Sequence, residues 1–134
     1  SRWRGADLQA LVEAAFQPYG MRVALTGEAL TLNPQATQIL ALALNELATN
    51  AAKHGALSRP EGRVEVAWSA AGGLFRFVWR ERGGPPVAVP TRHGFGRTLV
   101  ESAVAHELCG TTRLDFLPEG VTYTIEAPLA EVAA

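Results

Sequence analysis

The sequence predicts an α+β fold, with helices packed on one face of a mixed, mostly antiparallel sheet. Two long helices and one short one alternate irregularly with segments of strand-like pattern. Most neighbouring strand segments are separated only by short turns, and short turns favour antiparallel pairing. A doubly wound dinucleotide-binding fold requires a regular alternation of strands and helices, which this sequence lacks. We therefore expect a two-layer α/β sandwich.

Three segments have the apolar spacing of amphipathic helices. The first covers residues 6–17, where leucine, valine, alanine and phenylalanine recur at helical intervals. The longest helix is predicted from residue 34 to about residue 53. Asn33 is a favoured N-cap residue, and the proline that follows it is favoured at the first helical position. A third helix is predicted over residues 97–108.

The strand-like segments are short, and most are rich in β-branched or aromatic residues. Glycines separate most of them, which predicts tight turns between neighbours. In chain order, the predicted strands are residues 21–26, 29–32, 62–69, 74–81, 112–117 and 121–127.

The composition fits a single globular domain over residues 1–134. Hydrophobic residues make up 48% of the chain, and the net charge is -1. This near-neutral balance predicts no contact with nucleic acid or with an anionic membrane surface. The one cysteine, Cys109, has no partner for an internal disulfide, and no apolar run reaches membrane-spanning length. We therefore expect a domain that works in the cytoplasm.

The long helix carries a polar stripe beside its apolar face. Glu46, Asn50 and Lys53 follow one another at spacings of four and three residues, so their side chains project from the same side. A carboxylate, a carboxamide oxygen and an amine together suit a magnesium–phosphate site. A solvated helix face with a Glu–Lys pair explains the same spacing equally well. The apolar face beside it is predicted to be core and contains Leu40, Leu44, Leu47 and Ala51.

Two glycine-containing segments are candidates for close approach to a ligand. A predicted strand ends at Glu81 and is followed by Gly83 and Gly84. A carboxylate there can accept a hydrogen bond from an exocyclic amine, while the glycines let backbone pass nearby. Gly94-Phe-Gly96 directly precedes a predicted helix, whose free backbone N–H groups favour phosphate. Each segment also fits an ordinary loop, and neither matches a Rossmann fingerprint or a P-loop.

In their order along the chain, these segments resemble the GHKL ATPase superfamily, and within it the HWE type of sensor histidine kinase. Residues 42–58 resemble the superfamily's N box, and residues 79–85 resemble the first glycine box in its Trp-x-Glu form. Residues 94–96 are similar to the second glycine box, and residues 120–129 to the closing strand pair. Asn45 departs from the HWE pattern, which has a histidine there. The resemblance implies a Bergerat-type ATP-binding fold.

The resemblance also implies a role in binding ATP and Mg²⁺ for each matching position. Asn50 would ligate Mg²⁺, Glu46 would be the general base or polarising group, and Glu81 would accept a hydrogen bond from the amino group of adenine. A short lid over the nucleotide would span residues 85–93. The other implied contacts are Lys53 and His54 facing the phosphates, Gly94 and Gly96 framing them, Gly83 passing the base, and Thr122 near adenine.

The activity that the resemblance implies is transfer of the ATP γ-phosphoryl group to a histidine, for relay to a response regulator. The dimerisation and phosphoacceptor helices of such kinases have no counterpart in these residues, so we expect the acceptor histidine on a separate segment. One alternative is a docking module that binds response regulators without ATP, which the intact Glu46, Asn50 and Glu81 argue against. The other is an anti-sigma-factor serine kinase, which the Trp-x-Glu pattern disfavours.

Overall fold

The computed structural model describes residues 5–87 and 95–134, and five strands form one sheet across them. These strands are β1 Val23–Thr26, β2 Arg63–Ser69, β3 Leu74–Arg82, β4 Thr111–Leu117 and β5 Gly120–Pro128. Their order in the sheet is β1-β2-β3-β5-β4. β1 pairs with β2 in parallel, and the other pairs are antiparallel. The predicted mixed, mostly antiparallel sheet is confirmed.

The helices of the described residues lie on one face of this sheet. α1 spans Leu8–Phe16, and α2 spans Pro34–His54. α3 has three consecutive pieces, namely Phe95–Thr98, the π-helical Leu99–Ala103, and Val104–Glu107. Burial alternates strictly along β2, and its buried side chains join those of all three helices in one core. The two-layer sandwich is therefore confirmed.

α2 begins and ends as its sequence predicts. The Asn33 side chain accepts a hydrogen bond from the backbone N–H of Ala36 at 2.7 Å, which satisfies one of the free donors at the helix start. At the other end, the N–H of Gly55 donates to the carbonyl of Ala51 at 3.0 Å. The predicted core face is confirmed, with exposures of 1% to 5% at Leu40, Leu44, Leu47 and Ala51.

The predicted strand at residues 29–32 is wrong. The backbone of this segment pairs with two separate stretches through single bridges, so no ladder forms. Leu30 accepts from the N–H of Leu8 at 3.0 Å, and Leu32 donates to the carbonyl of Ala6 at 2.9 Å. The segment is extended and partly apolar, but β1 takes β2 as its neighbour in the sheet instead.

α3 begins two residues earlier than predicted and contains an unpredicted π-helical turn. A π-helix shifts the backbone hydrogen-bond ladder by one residue. Side chains of the sheet bond to carbonyls of this turn: the Tyr123 hydroxyl donates to Val100, and the Thr112 hydroxyl donates to Glu101, both at 2.6 Å. Burial raises the pKa of Tyr123, so its hydroxyl stays protonated and remains a donor.

The loop that follows α2 is held in place by one arginine. The guanidinium of Arg22 donates to the carbonyl of Leu57 at 2.8 Å and to that of Gly62 at 3.0 Å. It also bonds to the carbonyls of Arg59 and Pro60. Hydrogen bonds from a charged donor are stronger than neutral ones, so Arg22 fixes the course of this loop between α2 and β2. The loop begins beside the site described next.

Candidate functional site

A cavity of about 470 Å³ lies between α2, α3 and the ends of β3, β4 and β5. Its walls are mostly apolar, and only a few charged or carboxamide side chains line it. A concave, mainly apolar pocket with a few placed polar groups is the usual form of a small-molecule site. The lining residues are Glu46, Leu47, Asn50, His54, Gly55, Glu81, Pro86, Val87, Gly96, Arg97, Val100, Leu114, Phe116 and Val121.

Glu81 is the buried carboxylate of this cavity, with only 4% of its surface exposed. One carboxylate oxygen accepts the backbone N–H of Ala56 at 3.1 Å, and the other accepts the indole N–H of Trp79 at 3.0 Å. Burial raises the pKa of Glu81, and these two hydrogen bonds act in the opposite direction. Each oxygen has a second lone pair, so the group keeps acceptor capacity for a ligand.

Gly55 makes room for this carboxylate. A Cβ atom at Gly55 would lie 2.2 Å from Oε1 of Glu81, far closer than any non-bonded contact allows. The φ angle of Gly55 is -116°, so the requirement is for space rather than for an unusual backbone conformation. The glycine that ends α2 therefore lets the end of β3 approach the helix, a role that the sequence analysis did not assign.

Glu46 and Asn50 form a hydrogen-bonded pair on α2 at another part of the cavity. The carboxamide nitrogen of Asn50 donates to Oε2 of Glu46 at 2.9 Å. This leaves the carboxamide oxygen of Asn50 as an acceptor or a metal ligand. A Cβ atom at Gly96 would lie 2.0 Å from the same oxygen of Glu46. The glycine at the start of α3 thus lets the two helices bring this pair to the cavity.

Five of the predicted site residues are brought together around one cavity: Glu46, Asn50, His54, Glu81 and Gly96. Lys53 is exposed on the last turn of α2 and is not among the residues that line the cavity in the described part of the chain. The predicted Gly94 lies outside the described residues, as do residues 88–93 of the predicted lid.

Thr122 is not among the residues that line the cavity in the described part of the chain, and its place near adenine stays a prediction. Side chains alternate between the faces of a strand, and Tyr123 is fully buried on the helix side. Thr122 therefore lies on the opposite face, in register with Arg80 and Asp115. The cavity-facing position near the start of β5 belongs to Val121.

Gly83 likewise serves the backbone rather than the cavity lining. Its φ angle is +75°, a conformation that favours glycine. A Cβ atom there would lie 2.9 Å from the carbonyl oxygen of Glu61. Gly83 thus lets the chain turn away after β3 against the loop held by Arg22, and its place beside the base stays a prediction.

Arg97 and Phe116 are among the cavity side chains that were not predicted from the sequence. The guanidinium of Arg97 lies 5.2 Å from the ring centre of Phe116, in a cation–π arrangement. Its Nε atom donates to Glu101 at 2.9 Å, one helical turn further along. The spacing of Arg97 and Glu101 was visible in the sequence, but nothing local indicated that Phe116 would lie against them.

The chemistry of these groups fits a magnesium nucleotide. The cavity offers a hard oxygen ligand at Asn50, a buried acceptor at Glu81, and mostly apolar walls. Gly55 and Gly96 lack side chains and so leave space for the carboxylates of Glu81 and Glu46, respectively. No cluster of three His, Cys, Asp or Glu side chains is found in residues 5–87 and 95–134. Mg²⁺ is usually held by one or two protein ligands together with substrate phosphates, so a single carboxamide ligand is consistent with it.

The family model for the histidine kinase-like ATPase domain matches residues 13–108, and the chain belongs to this family. It is similar to the blue-light-activated histidine kinase of Brucella anthropi, at 36% identity over 95% of this chain and 28% of that relative. The chain therefore spans less than a third of the length of this relative. In the described residues, no helix is both long and apolar enough to span a membrane.

Many solved structures share the fold, including two histidine kinases. The histidine kinase domain of the Erythrobacter litoralis blue-light activated kinase matches with a TM-score of 0.73 at 18% identity, over 92% of this chain and 60% of that one. The histidine kinase ThkA, solved in complex with the response regulator TrrA, matches with a TM-score of 0.61 at 15% identity. That match covers 91% of this chain and 40% of the ThkA chain.

Proposed function

We propose that the 134-residue chain is a catalytic domain that binds Mg-ATP in this cavity and transfers the γ-phosphoryl group to a histidine on a separate dimerisation segment. The observation that carries the proposal is the placement of one buried carboxylate, Glu81, and one carboxylate–carboxamide pair, Glu46 and Asn50, around a single cavity. These groups suit the two ends of a nucleotide, the base and the metal-bound phosphates.

At the base end, Glu81 accepts the exocyclic amino group of adenine. Its own position is fixed by the N–H donors of Ala56 and Trp79. Val100, Val121 and the other apolar wall residues exclude water from the base.

At the phosphate end, Asn50 supplies the protein ligand to Mg²⁺, and Glu46 orients Asn50 through their hydrogen bond. Bound Mg²⁺ neutralises the phosphate charge that otherwise repels an incoming nucleophile. Glu46 also holds or takes the proton of the attacking group. The cationic Arg97 and, when protonated, His54 line the same cavity and favour the charged phosphates. Lys53 adds a third positive group on the last turn of α2, and Gly94 with Gly96 frames the phosphates.

The partners follow from the reaction. The acceptor is a histidine on the helical dimerisation segment of the parent kinase, and the phosphoryl group passes from there to a response regulator. The shared fold with ThkA, which was solved with a response regulator, supports this relay. ATP as substrate is consistent with a cytoplasmic location.

Radiolabelled ATP tests the transfer. Incubated alone with ATP labelled in the γ-phosphate, the chain should acquire no acid-labile phosphate, because none of its histidines serves as the acceptor. Adding the helical segment of the parent kinase should restore labelling of that segment. The control is the same segment with its acceptor histidine changed to glutamine, which should stay unlabelled. Acid-labile phosphate on this chain alone would contradict the proposal, and acid-stable phosphate on a serine partner would favour the serine-kinase alternative.

Gly96→Ala should separate binding from folding. The new methyl group needs the space of the Glu46 carboxylate, whose flexible end can move aside. Alanine is also a better helix former by about 0.8–1.0 kcal/mol, so the free energy of unfolding should stay level or rise. The affinity for Mg-ATP should fall, because the displaced Glu46 no longer orients Asn50. Chemical denaturation and calorimetric titration measure the two quantities, and an unchanged affinity would remove Gly96 from the site.

A further inference from the structure

We propose that Trp79 is a positioning residue for base recognition, whose indole N–H fixes the Glu81 carboxylate in the orientation that accepts the adenine amino group. The inference rests on the proposed function of the cavity and goes further, because it names what makes Glu81 selective. Trp79 and Glu81 act as one recognition unit, two residues apart on β3.

The geometry of the pair leaves the indole little freedom. Trp79 is completely buried, and its Nε1 lies 3.0 Å from Oε2 of Glu81. On α1, the ring of Phe16 is stacked against the indole, with ring centres 5.1 Å apart and planes 27° apart. Phe16 is itself fully buried. The indole N–H is therefore a rigid donor placed by the hydrophobic core.

Two donors are needed to define the carboxylate. The N–H of Ala56 bonds to Oε1 at 3.1 Å and fixes one oxygen, but the carboxylate plane can still rotate about that contact. The indole N–H binds the second oxygen, so both are held and one lone pair of each remains for a ligand. A site whose acceptor is held in one orientation pays less entropy when it binds its ligand.

The same hydrogen bond affects the charge of Glu81. Burial raises the pKa of this carboxyl. Two hydrogen bonds lower that pKa, and the one from Trp79 has the larger effect. Only the ionised carboxylate is purely an acceptor, so affinity for ATP is present above the pKa of Glu81 and is lost as the pH falls through it. Removing the indole N–H raises that pKa further, and the loss should then begin at a higher pH. The titratable or charged side chains that line the same cavity in the described residues are Glu46, His54 and Arg97.

A matched pair of variants tests the inference. Trp79→Phe keeps an aromatic ring against Phe16 and removes the N–H donor. The control is Trp68→Phe, since Trp68 is also buried, on the neighbouring strand, and its Nε1 donates at 2.8 Å to the carbonyl of Glu28 rather than to the site. Both variants lose one indole hydrogen bond and similar volume, so both should be less stable than wild type, and Trp79→Phe more so because its lost acceptor is a buried carboxylate.

The binding readouts should diverge. Trp79→Phe should weaken ATP about tenfold, and should hardly affect purine riboside triphosphate, which lacks the exocyclic amino group. The pH at which ATP affinity is lost should rise in Trp79→Phe and stay unchanged in Trp68→Phe. If the two variants have the same ATP affinity, the same preference for ATP over purine riboside triphosphate and the same pH profile of ATP affinity, Trp79 has only a structural role. If the wild-type chain itself does not bind ATP, the proposed function fails instead.

A measurement on the wild-type chain covers the case in which Trp79→Phe does not fold. The indole N–H resonances are assigned with Trp3→Phe and Trp68→Phe variants. The Trp79 resonance should move on addition of ATP and again on acidification, and Glu81→Gln should abolish the response to pH. A Trp79 resonance that responds to neither ATP nor pH would overturn the inference.

Discussion

Asn50→Ala should lower the affinity for Mg-ATP by at least about tenfold while the fold survives. Replacing even an outer-shell partner of a metal site typically costs 10- to 100-fold in affinity, and Asn50 is proposed as the direct ligand. The side chain is exposed, and alanine favours a helix, so the free energy of unfolding should change by less than about 1 kcal/mol. Calorimetric titration measures the affinity, and chemical denaturation measures the stability.

The matched control for this change is Asn45→Ala. Asn45 is an exposed asparagine on the same helix, five residues earlier, and does not line the cavity. The Asn45→Ala substitution should leave the affinity for Mg-ATP unchanged. With EDTA in place of Mg²⁺, wild type and Asn50→Ala should bind ATP with similar, weaker affinity, because the metal is what the side chain contacts. If Asn50→Ala binds Mg-ATP as tightly as wild type, Asn50 is not the metal ligand.

Glu81→Ala should remove the preference for ATP over GTP, chiefly by weakening ATP. Adenine presents an amino donor at its exocyclic position, whereas guanine presents a carbonyl acceptor there. An acceptor facing an acceptor leaves a buried charge unsatisfied at a cost of about 1–3 kcal/mol or more, so wild type should prefer ATP by at least roughly tenfold. The alanine side chain has no hydrogen-bonding group, so the ratio of ATP affinity to GTP affinity should fall towards one.

Stability should also respond to this change. Glu81→Ala leaves the buried N–H groups of Ala56 and Trp79 without their acceptor, and each unsatisfied donor costs about 1–3 kcal/mol. Glu65→Ala, an exposed glutamate on the neighbouring strand, is the control and should change neither stability nor base preference. Glu81→Asp should keep part of the preference, since the acceptor survives on a shorter arm. An ATP-to-GTP ratio that Glu81→Ala leaves unchanged would show that Glu81 does not recognise the base.

Local patterns in the sequence predicted those parts of the molecule that local interactions determine. The cap at Asn33 and the apolar spacing that follows it defined α2 almost to the residue. The four-residue spacing of Glu46 and Asn50 brought them together, and they are hydrogen-bonded in the structure.

Features that depend on distant contacts were predicted poorly. Extended, partly apolar residues at 29–32 satisfied the strand pattern, yet only their partners decide whether a ladder forms. The π-helical turn in α3 has no sequence signature, because its carbonyls are satisfied by Tyr123 and Thr112 from the sheet.

In the site, too, local features were predicted and distant contacts were not. Glu81 was predicted from its place before two glycines, but the N–H groups of Ala56 and Trp79 that donate to it were not predicted. Ala56 is 25 residues away in sequence, and Gly55 matters because of the space that the carboxylate occupies. The indole of Trp79 lies within hydrogen-bonding distance of Glu81 because residues two apart along a strand share one face of the sheet.

Calorimetric titration of ATP into the wild-type chain, with Mg²⁺ and then with EDTA, tests the central claim most directly. The cavity of Glu46, Asn50 and Glu81 predicts saturable binding of one ATP per chain that strengthens by at least about tenfold when Mg²⁺ is present. Absence of ATP binding under both conditions would contradict the account and would favour a docking module that works without nucleotide.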